Sequence, residues 1–503
     1  MCGIFISSDP LINPSQIDTI EKTLAFRGPD HQSGLLQFQQ WSIYHSRLSI
    51  IDLSNKANQP IFDKAGGILL FNGEILNYQE LGKKHLQKNY TSDTLLLSGL
   101  IINNKLHLDE LDGFFSFIYI DLLGQLQYCA RDKFGVKPLY FYKRKEYITI
   151  SSEPSTLALL FNLKPITTAI EEYTILRAPM FNGSFYHHVQ QVSPGYCLVK
   201  GCYFNPLDQL TGEYQTVTQH ELKQALIKGI HSRTVSDAKI GLLLSKGIDS
   251  NLIRILSSID AYYSIGLKNA PDVDYLKTQS IDNIVLYECT PDEYKHNFKQ
   301  LLKLRHEPMS VPNEVLLAII AKEAKKNNIK VLLSGEGVDE FFGGYDRIFQ
   351  WAHTTPVFDI DEFIQLYCYT QPQKSSHTYT LLEEIFKQNH FPSPFEAVRW
   401  FFIRYHLPIL FRRLDFALMS AGIEGREPLA NIHTFNIAAK MAPTQLMGNP
   451  LGKMPLRHLM ATMKNNSFAF EKKIGFPVNL QTIFKHKQSA YQIWFNENLK
   501  VLE

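Results

Sequence analysis

A cysteine follows the initiator methionine in Met1-Cys2-Gly3-Ile4-Phe5. Removal of Met1 is favoured ahead of a small residue, and Cys2 would then carry both a thiol and a free α-amine. An α-amine titrates near pH ~8 and a thiol near ~8.5, so proton transfer between them is nearly balanced. A terminal amine activating its own nucleophile is an established device. Further along, the apolar run Ile240–Leu244 leads into Ser245-Lys246-Gly247-Ile248-Asp249-Ser250. A Ser/Gly loop ahead of a helix N-terminus is a cradle for anions. The run Lys330–Leu333 ends in Ser334-Gly335-Glu336-Gly337-Val338-Asp339-Glu340. Carboxylates crowded behind a buried strand are costly unless a cation sits among them, and Mg²⁺ held by one or two carboxylates plus phosphate oxygens answers that cost.

Two kinds of element must position these groups. The first ~200 residues read as short strands broken by turns: Ile68–Phe71, Ser116–Asp121, Leu139–Tyr142 and Tyr147–Ser151, with turn signals at Arg27-Gly28-Pro29-Asp30 and Asn72-Gly73. Helical periodicity appears around Thr94–Ile102. This half is α+β with much antiparallel sheet. The pattern loosens over Lys200–Thr216. Thr218 and Glu221 then form a capping box, and Leu222, Ala225, Leu226 and Ile230 follow on one helical face. Strand Ile240–Leu244, helix Asp249–Ile259, strand Tyr262–Leu267, helix Glu314–Lys325 and strand Lys330–Leu333 alternate. That alternation predicts a parallel sheet with helices on both faces and ligands beyond its carboxyl edge. Past Ile348 the chain reads as helical to its end. The expected boundaries are 2–200, a linker at 201–217, and 218–503.

The bulk numbers bound the partners. At 503 residues the chain has room for several domains. A net charge of +2 gives no basic excess for nucleic acid, so phosphate binding must be local. Cys2, Cys129, Cys197, Cys202, Cys289 and Cys368 form no CxxC pair, which fits a reducing cytoplasm. No apolar run is long enough to predict a membrane span, and no signal-peptide pattern opens the chain.

The chain resembles class II (N-terminal nucleophile) glutamine amidotransferases, and specifically the asparagine synthetase family. The match runs through Arg27–Asp30, His45-Ser46-Arg47-Leu48-Ser49-Ile50-Ile51-Asp52-Leu53, Phe71-Asn72-Gly73-Glu74, Ser92-Asp93-Thr94, Leu111-Asp112-Gly113 and Ala130–Tyr140. In the second half it runs through Ser334–Tyr345, Met419–Leu429, Lys453-Met454-Pro455-Leu456-Arg457 and Lys473-Ile474-Gly475-Phe476-Pro477. The resemblance implies an Ntn-hydrolase-like antiparallel sandwich followed by an adenine-nucleotide-hydrolase-like α/β domain.

It also implies roles. Cys2 would attack the glutamine amide, with Asn72 and Gly73 stabilising the oxyanion. Arg47 would fork onto the glutamine carboxylate, and Asp93 would face its ammonium, with Leu48, Ser49, Ile50, Ile51 and Glu74 bordering the substrate. ATP would lie against Leu244, Ser245, Gly247, Asp249, Ser250, Ile265, Ser334 and Gly335. Asp249 and Asp339 would carry Mg²⁺, Glu336 would act as general base, and Lys453 would stabilise charge during adenylation. The implied partners are glutamine, a small carboxylate acceptor and, by analogy, a second copy of the chain.

Taken singly, these residues have plainer readings. Asn72-Gly73 is most often a hairpin turn, Arg47 an ordinary ion pair, Asp93 a helix N-cap, and Lys453 a solvated lysine. Two departures stand out against the family pattern. Lys246 replaces the first glycine of the pyrophosphate loop, and Leu429-Ala430-Asn431 stands where the family has an acid. The expected activity is amidation of aspartate. The alternatives are amidation of another carboxylate (a sugar uronate or a natural-product intermediate), ring closure without glutamine, and a glutaminase or regulatory protein with a degenerate ATP site.

Overall fold

The structure, a computed structural model, describes residues 2–472 and 478–503. Side chains alternate across strands, and that alternation builds the first half. In β1 (Cys2–Ser7), Ile4 and Ile6 face one way and Phe5 the other. In β3 (Ile68–Ile75), Ile68 and Leu70 join Ile4 and Ile6 in one core, whereas Leu69 and Phe71 pack with Leu96, Leu97 and Leu100 of helix α1 (Asp93–Ile102). Two antiparallel sheets thus meet face to face, with a helix against the outer face of each. β1 pairs with β2 (Trp41–Arg47), placing Cys2 opposite Arg47. β3 pairs with β4 (Gly113–Ile120) in the second sheet, placing Asn72 opposite Ser116. Cys2 shares the parity of Ile4, and Asn72 that of Leu70, so both lie at the open end of the inter-sheet core.

The expected turn at Asn72-Gly73 is overturned: both residues lie inside β3. The dipeptide is used for another property. Gly73 has φ +124°, and a Cβ there would lie 2.0 Å from the Phe114 carbonyl oxygen, so only glycine lets the strand make this close approach. The plainer reading of Asp93 also fails, because Ser92 caps α1, its Oγ accepting from the Leu95 amide.

Helix α2 (Thr167–Leu176) follows the main strands of the first half. Residues Gly201 and Cys202 still pair with Cys197 and Tyr196 at the edge of its sheet. Helix α3 (Gln219–Arg233) opens with the Thr218/Glu221 capping box. The parallel sheet contains β5 (Ile240–Leu243), β6 (Ala261–Leu267), β7 (Ile284–Cys289), β8 (Val331–Leu333) and β9 (Glu424–Arg426), in the order β7-β6-β5-β8-β9. Helix α4 spans Ile248–Leu256, shorter than the expected Asp249–Ile259, and α5 spans Asn313–Lys326. β9 lies far beyond Ile348, where strands were expected to stop. No helix among the described residues is long and apolar enough to cross a membrane.

The halves are joined by buried charge. Arg233 of α3 holds Asp112 with both guanidinium nitrogens, at 2.8 and 3.0 Å, and His433 adds a contact at 3.2 Å. Despite burial, Arg233 and His433 hold the Asp112 carboxyl well below its usual range. Because that value is depressed, its stabilisation is present above the unfolded pKa near ~3.9 and is lost as the pH falls below it. Arg233→Ala should therefore destabilise the protein by about 3–5 kcal/mol at neutral pH, with the difference from wild type shrinking in acid. Denaturant titrations at neutral and acidic pH measure this, and an unchanged midpoint at neutral pH would rule it out.

Candidate active sites

The amino-terminal site is built where β1, β2 and β3 converge. Cys2 is buried, and its backbone amide donates to Asn72 Oδ1 at 2.8 Å. The Asn72 side-chain amide, 3.5 Å from Ser116 Oγ, keeps donor capacity. Burial pushes the Cys2 thiol up, offset in part by the amino-terminal charge, the Leu48 amide and Arg47. Arg47 is fixed by the loop after β2: Nη1 donates to Ser54 O at 2.9 Å and Asn58 Oδ1 at 2.8 Å, and Nη2 to Asp52 O. All these partners are neutral, so its charge remains to be answered.

On the other side lie two acids. Asp93 accepts from the Ile75 amide at 3.0 Å and the Thr94 amide at 2.7 Å. Burial raises its pKa, and Glu74 is raised well above its usual range by burial and by Asp93 and Glu424. Adjacent buried carboxyls of this kind suit an arriving ammonium. Leu48, Ile50 and Ile51 enter the core shared with the second half, while the Ser49 amide donates to Asp30 at 2.8 Å.

The second site is a cavity of about 640 Å³ beyond the carboxyl edge of the parallel sheet. Every residue expected around ATP lines it: Leu244, Ser245, Gly247, Asp249, Ser250, Ile265, Ser334 and Gly335. Glu336, Asp339 and Glu340 line it too. Lys453, immediately before helix Met454–Met463, is only 3% exposed and is not a solvated lysine. Its Nζ lies 2.8 and 2.9 Å from the Asp249 carboxylate and 2.7 Å from Asp339 Oδ1. Two hard oxygen donors converging on one cation fit the demands of Mg²⁺ bound with a nucleotide. Among the described residues there is no cluster of three metal-ligating side chains, so substrate phosphates would complete any coordination shell.

Gly344 explains the glycine pair at the end of Ser334–Tyr345. A Cβ there would lie 1.8 Å from Asp339 Oδ1 and 2.2 Å from Lys453 Cε. Gly344→Ala must therefore push Asp339 and Lys453 apart. Displacements of about 1 Å can cost 10²-fold, and a loss of about that size is expected in ATP-dependent AMP formation. Glutamine hydrolysis should persist. Wild-type AMP formation in this variant would mean that the Asp339–Lys453 contact is dispensable.

Sequence reasoning missed several partners here. Arg413, on helix α6 (Leu407–Met419), donates Nη2 to Glu336 Oε1, while Glu336 Oε2 is left buried without a hydrogen bond. Tyr345 donates to Glu340 at 2.7 Å, His406 Nε2 lies 3.2 Å from the Tyr345 hydroxyl, and the Tyr367 hydroxyl lies 2.8 Å from His406 Nδ1. Burial and Asp339 raise Glu340 to about 7, and burial drives His406 well below its usual value. A neutral His406 then accepts from Tyr367 and donates to Tyr345. Lys246 faces away from the cradle: its Nζ pairs with Glu471 and sits 5.2 Å from the Tyr275 ring centroid. Asn431 is fully buried as an N-cap, accepting from the His433 and Thr434 amides. The segment 473–477 lies outside the described residues.

Strand β9 connects the two sites, its Arg426 carbonyl accepting from the Ser334 amide at 2.8 Å and its Arg426 guanidinium 5.4 Å from the Phe114 ring. Glu424, at its start, raises Glu74, and Glu427, one residue past its end, is raised to about 8 by burial with Glu336 and Asp415 among its neighbours. Between them Lys137 Nζ donates to Gly425 O at 3.4 Å and pairs with Asp415 at 3.6 Å. Arg27 spans the same region, donating to Cys2 O at 3.1 Å and to Asp415 at 2.8 Å.

Comparison with known proteins divides the chain along the same line. Residues 1–202 match a glutamine amidotransferase domain family, and residues 221–501 match the asparagine synthase family. Asparagine synthetase (glutamine-hydrolyzing) 1 of Bacillus subtilis is 28% identical over 377 residues, covering 69% of this chain and 59% of that protein. Putative asparagine synthetases 1 and 2 of Methanocaldococcus jannaschii are each 29% identical. They cover 61% and 69% of this chain and 58% and 76% of their own lengths. The chain thus aligns with under two thirds of the first two of these relatives.

Proposed function

Because this chain belongs to the asparagine synthase family, we propose that it is a glutamine-dependent, ATP-consuming ligase that amidates a carboxylate, with aspartate as the acceptor. With Met1 removed, the Cys2 thiol gives its proton to the α-amine and attacks the glutamine amide carbon. Asn72 Nδ2 and the Gly73 amide receive the oxyanion, each donor worth a few kcal/mol. The C–N bond breaks, the leaving nitrogen takes the proton, and water hydrolyses the resulting thioester to glutamate. Arg47 pairs with the glutamine carboxylate and Asp93 with its ammonium.

In the second site, the acceptor carboxylate attacks the α-phosphorus of ATP and pyrophosphate leaves. Lys453 stabilises the charge that develops there, and Mg²⁺ on Asp249 and Asp339 would neutralise phosphate oxygens. Ammonia attacks the acyl carbon of the adenylate, Glu336 Oε2 takes a proton, and AMP departs. Arg413 holds Glu336 Oε1, so the free oxygen has a fixed direction.

The observation that carries this reading is β9: the Ser334 amide of the second site donates to the Arg426 carbonyl at 2.8 Å, and the Arg426 guanidinium lies 5.4 Å from the ring of Phe114, the strand partner of Glu74 at the first site. Ammonia in neutral water is mostly protonated and no longer nucleophilic. A buried path along β9 would deliver it unprotonated. The test is a carboxylate screen with ATP and glutamine, read by AMP and pyrophosphate formation. Aspartate should give the largest signal. A stronger signal from a uronate would reassign the acceptor, and glutamine hydrolysis with no AMP from any carboxylate would overturn the ligase reading.

A further inference from the structure

Arg177 follows α2 and ends it in the left-handed region, at φ 69°. It belongs to the amidotransferase segment, yet it lines the cavity of the second site. The residue is 9% exposed, and its Nε is buried without a hydrogen-bond partner. Its one close partner among the described residues is the face of Tyr369, whose centroid lies 4.2 Å from the guanidinium carbon. Tyr369 is itself tied back to α2, its amide donating to Ile175 O at 2.9 Å. A guanidinium withdrawn from water costs several kcal/mol unless an anion answers it, and a ring face offsets only part of that.

Among the described residues Arg177 forms no ion pair. The groups that feel its charge include Tyr345, Tyr367, His406 and Tyr491, none of them an acid. His406 is neutral, and its hydrogen bonds are used by the two tyrosines. Glu340 already accepts from Tyr345, and Asp346 from the Gly452 amide at 2.8 Å. Glu336 is held by Arg413. Arg177 lines the same cavity as the residues expected around ATP and as Glu336 and Asp339.

We propose that Arg177 is a specificity-determining residue that binds a second carboxylate of the acceptor, distal to the one that is adenylated. The amidotransferase segment thereby completes the acceptor pocket of the synthetase. Glu336 and Asp339 would serve the reacting carboxylate and Arg177 the second one, with Tyr345, Tyr367 and Tyr369 lining the same cavity. This inference rests on the ligase reading above and adds to it the residue that reads the acceptor's second carboxylate.

The test compares aspartate with β-alanine, which is aspartate without its α-carboxylate, and glutarate with butyrate, using pyrophosphate release in wild type, Arg177→Met and Arg177→Lys. Wild type should favour the diacid of at least one pair. In Arg177→Met the KM for that diacid should rise roughly 10–100-fold, the loss of a charge-assisted hydrogen bond, with kcat and the KM for ATP little changed. The KM for the matching monoacid should stay put, and Arg177→Lys should recover part of the loss. An unchanged diacid-to-monoacid ratio in Arg177→Met, or a wild type that activates monoacids equally well, overturns the subsite and leaves the ligase reading intact. A rise in the KM for ATP equal to that for the diacid would assign Arg177 a structural role and also overturn it. A wild type that activates no carboxylate removes both.

Discussion

Cys2→Ala should lose glutamine hydrolysis by roughly 10³-fold or more, the size of effect seen when a covalent nucleophile is removed, while amide formation from added ammonium salts stays near wild type. Alanine is small enough for the buried position and leaves the β1–β2 register intact. The residue-2 nitrogen that donates to Asn72, the α-amine once Met1 is removed, also remains. What disappears is the thiol and nothing else of the pocket. Glutamate release and ammonium-supported amide formation, assayed side by side, separate the two activities. If both collapse, Cys2 is serving the fold and the two-site scheme fails. If glutamine use survives, another group is the nucleophile.

The mirror-image variant is Glu336→Gln. It should remove amide formation by roughly 10²–10⁴-fold, the usual worth of a positioned general base, and spare glutamine hydrolysis. Glutamine is the right replacement because its carbonyl oxygen can still accept from Arg413. Alanine would leave that buried guanidinium without its partner and confound chemistry with stability. Acceptor activation should outlast the loss, so that pyrophosphate release in a single turnover persists while amide does not accumulate. Loss of glutamine hydrolysis with amide formation intact would contradict the assignment of the acids to the second site.

Much of this was legible in the sequence because strongly patterned elements report themselves. Residues 147–151 alternate and form the strand expected there, and the Thr218/Glu221 capping box opens α3. The residues expected around ATP come to line one cavity because the loops at a parallel sheet's carboxyl edge converge there. The failures have physical causes. Asn72-Gly73 has the composition of a turn, but Gly73 is there for a close approach to Phe114, which depends on a strand 40 residues away (73 to 113). Arg413 and Arg177 sit in segments without a signature, and each gains its meaning only from a cavity built by distant parts of the chain. Glu424-Gly425-Arg426 could not be read as a strand, because two of its three residues are charged. Both are nonetheless fully buried, with Arg426 Nε 2.6 Å from Glu424 and its Nη1 donating to the Arg233 and Val235 carbonyls.

That short, charged strand constrains how freely the two halves could be exchanged. A chimera joining this amidotransferase segment to a relative's synthetase segment would bring together a Glu74 and a Glu424 equivalent that had not been selected to share one interior. The mismatch would fall on groups with no water to compensate them. Functional hybrids should therefore require moving Asp415 and residues 424–427 along with the segment that carries Glu74 and Lys137, rather than cutting at the boundary between the domains.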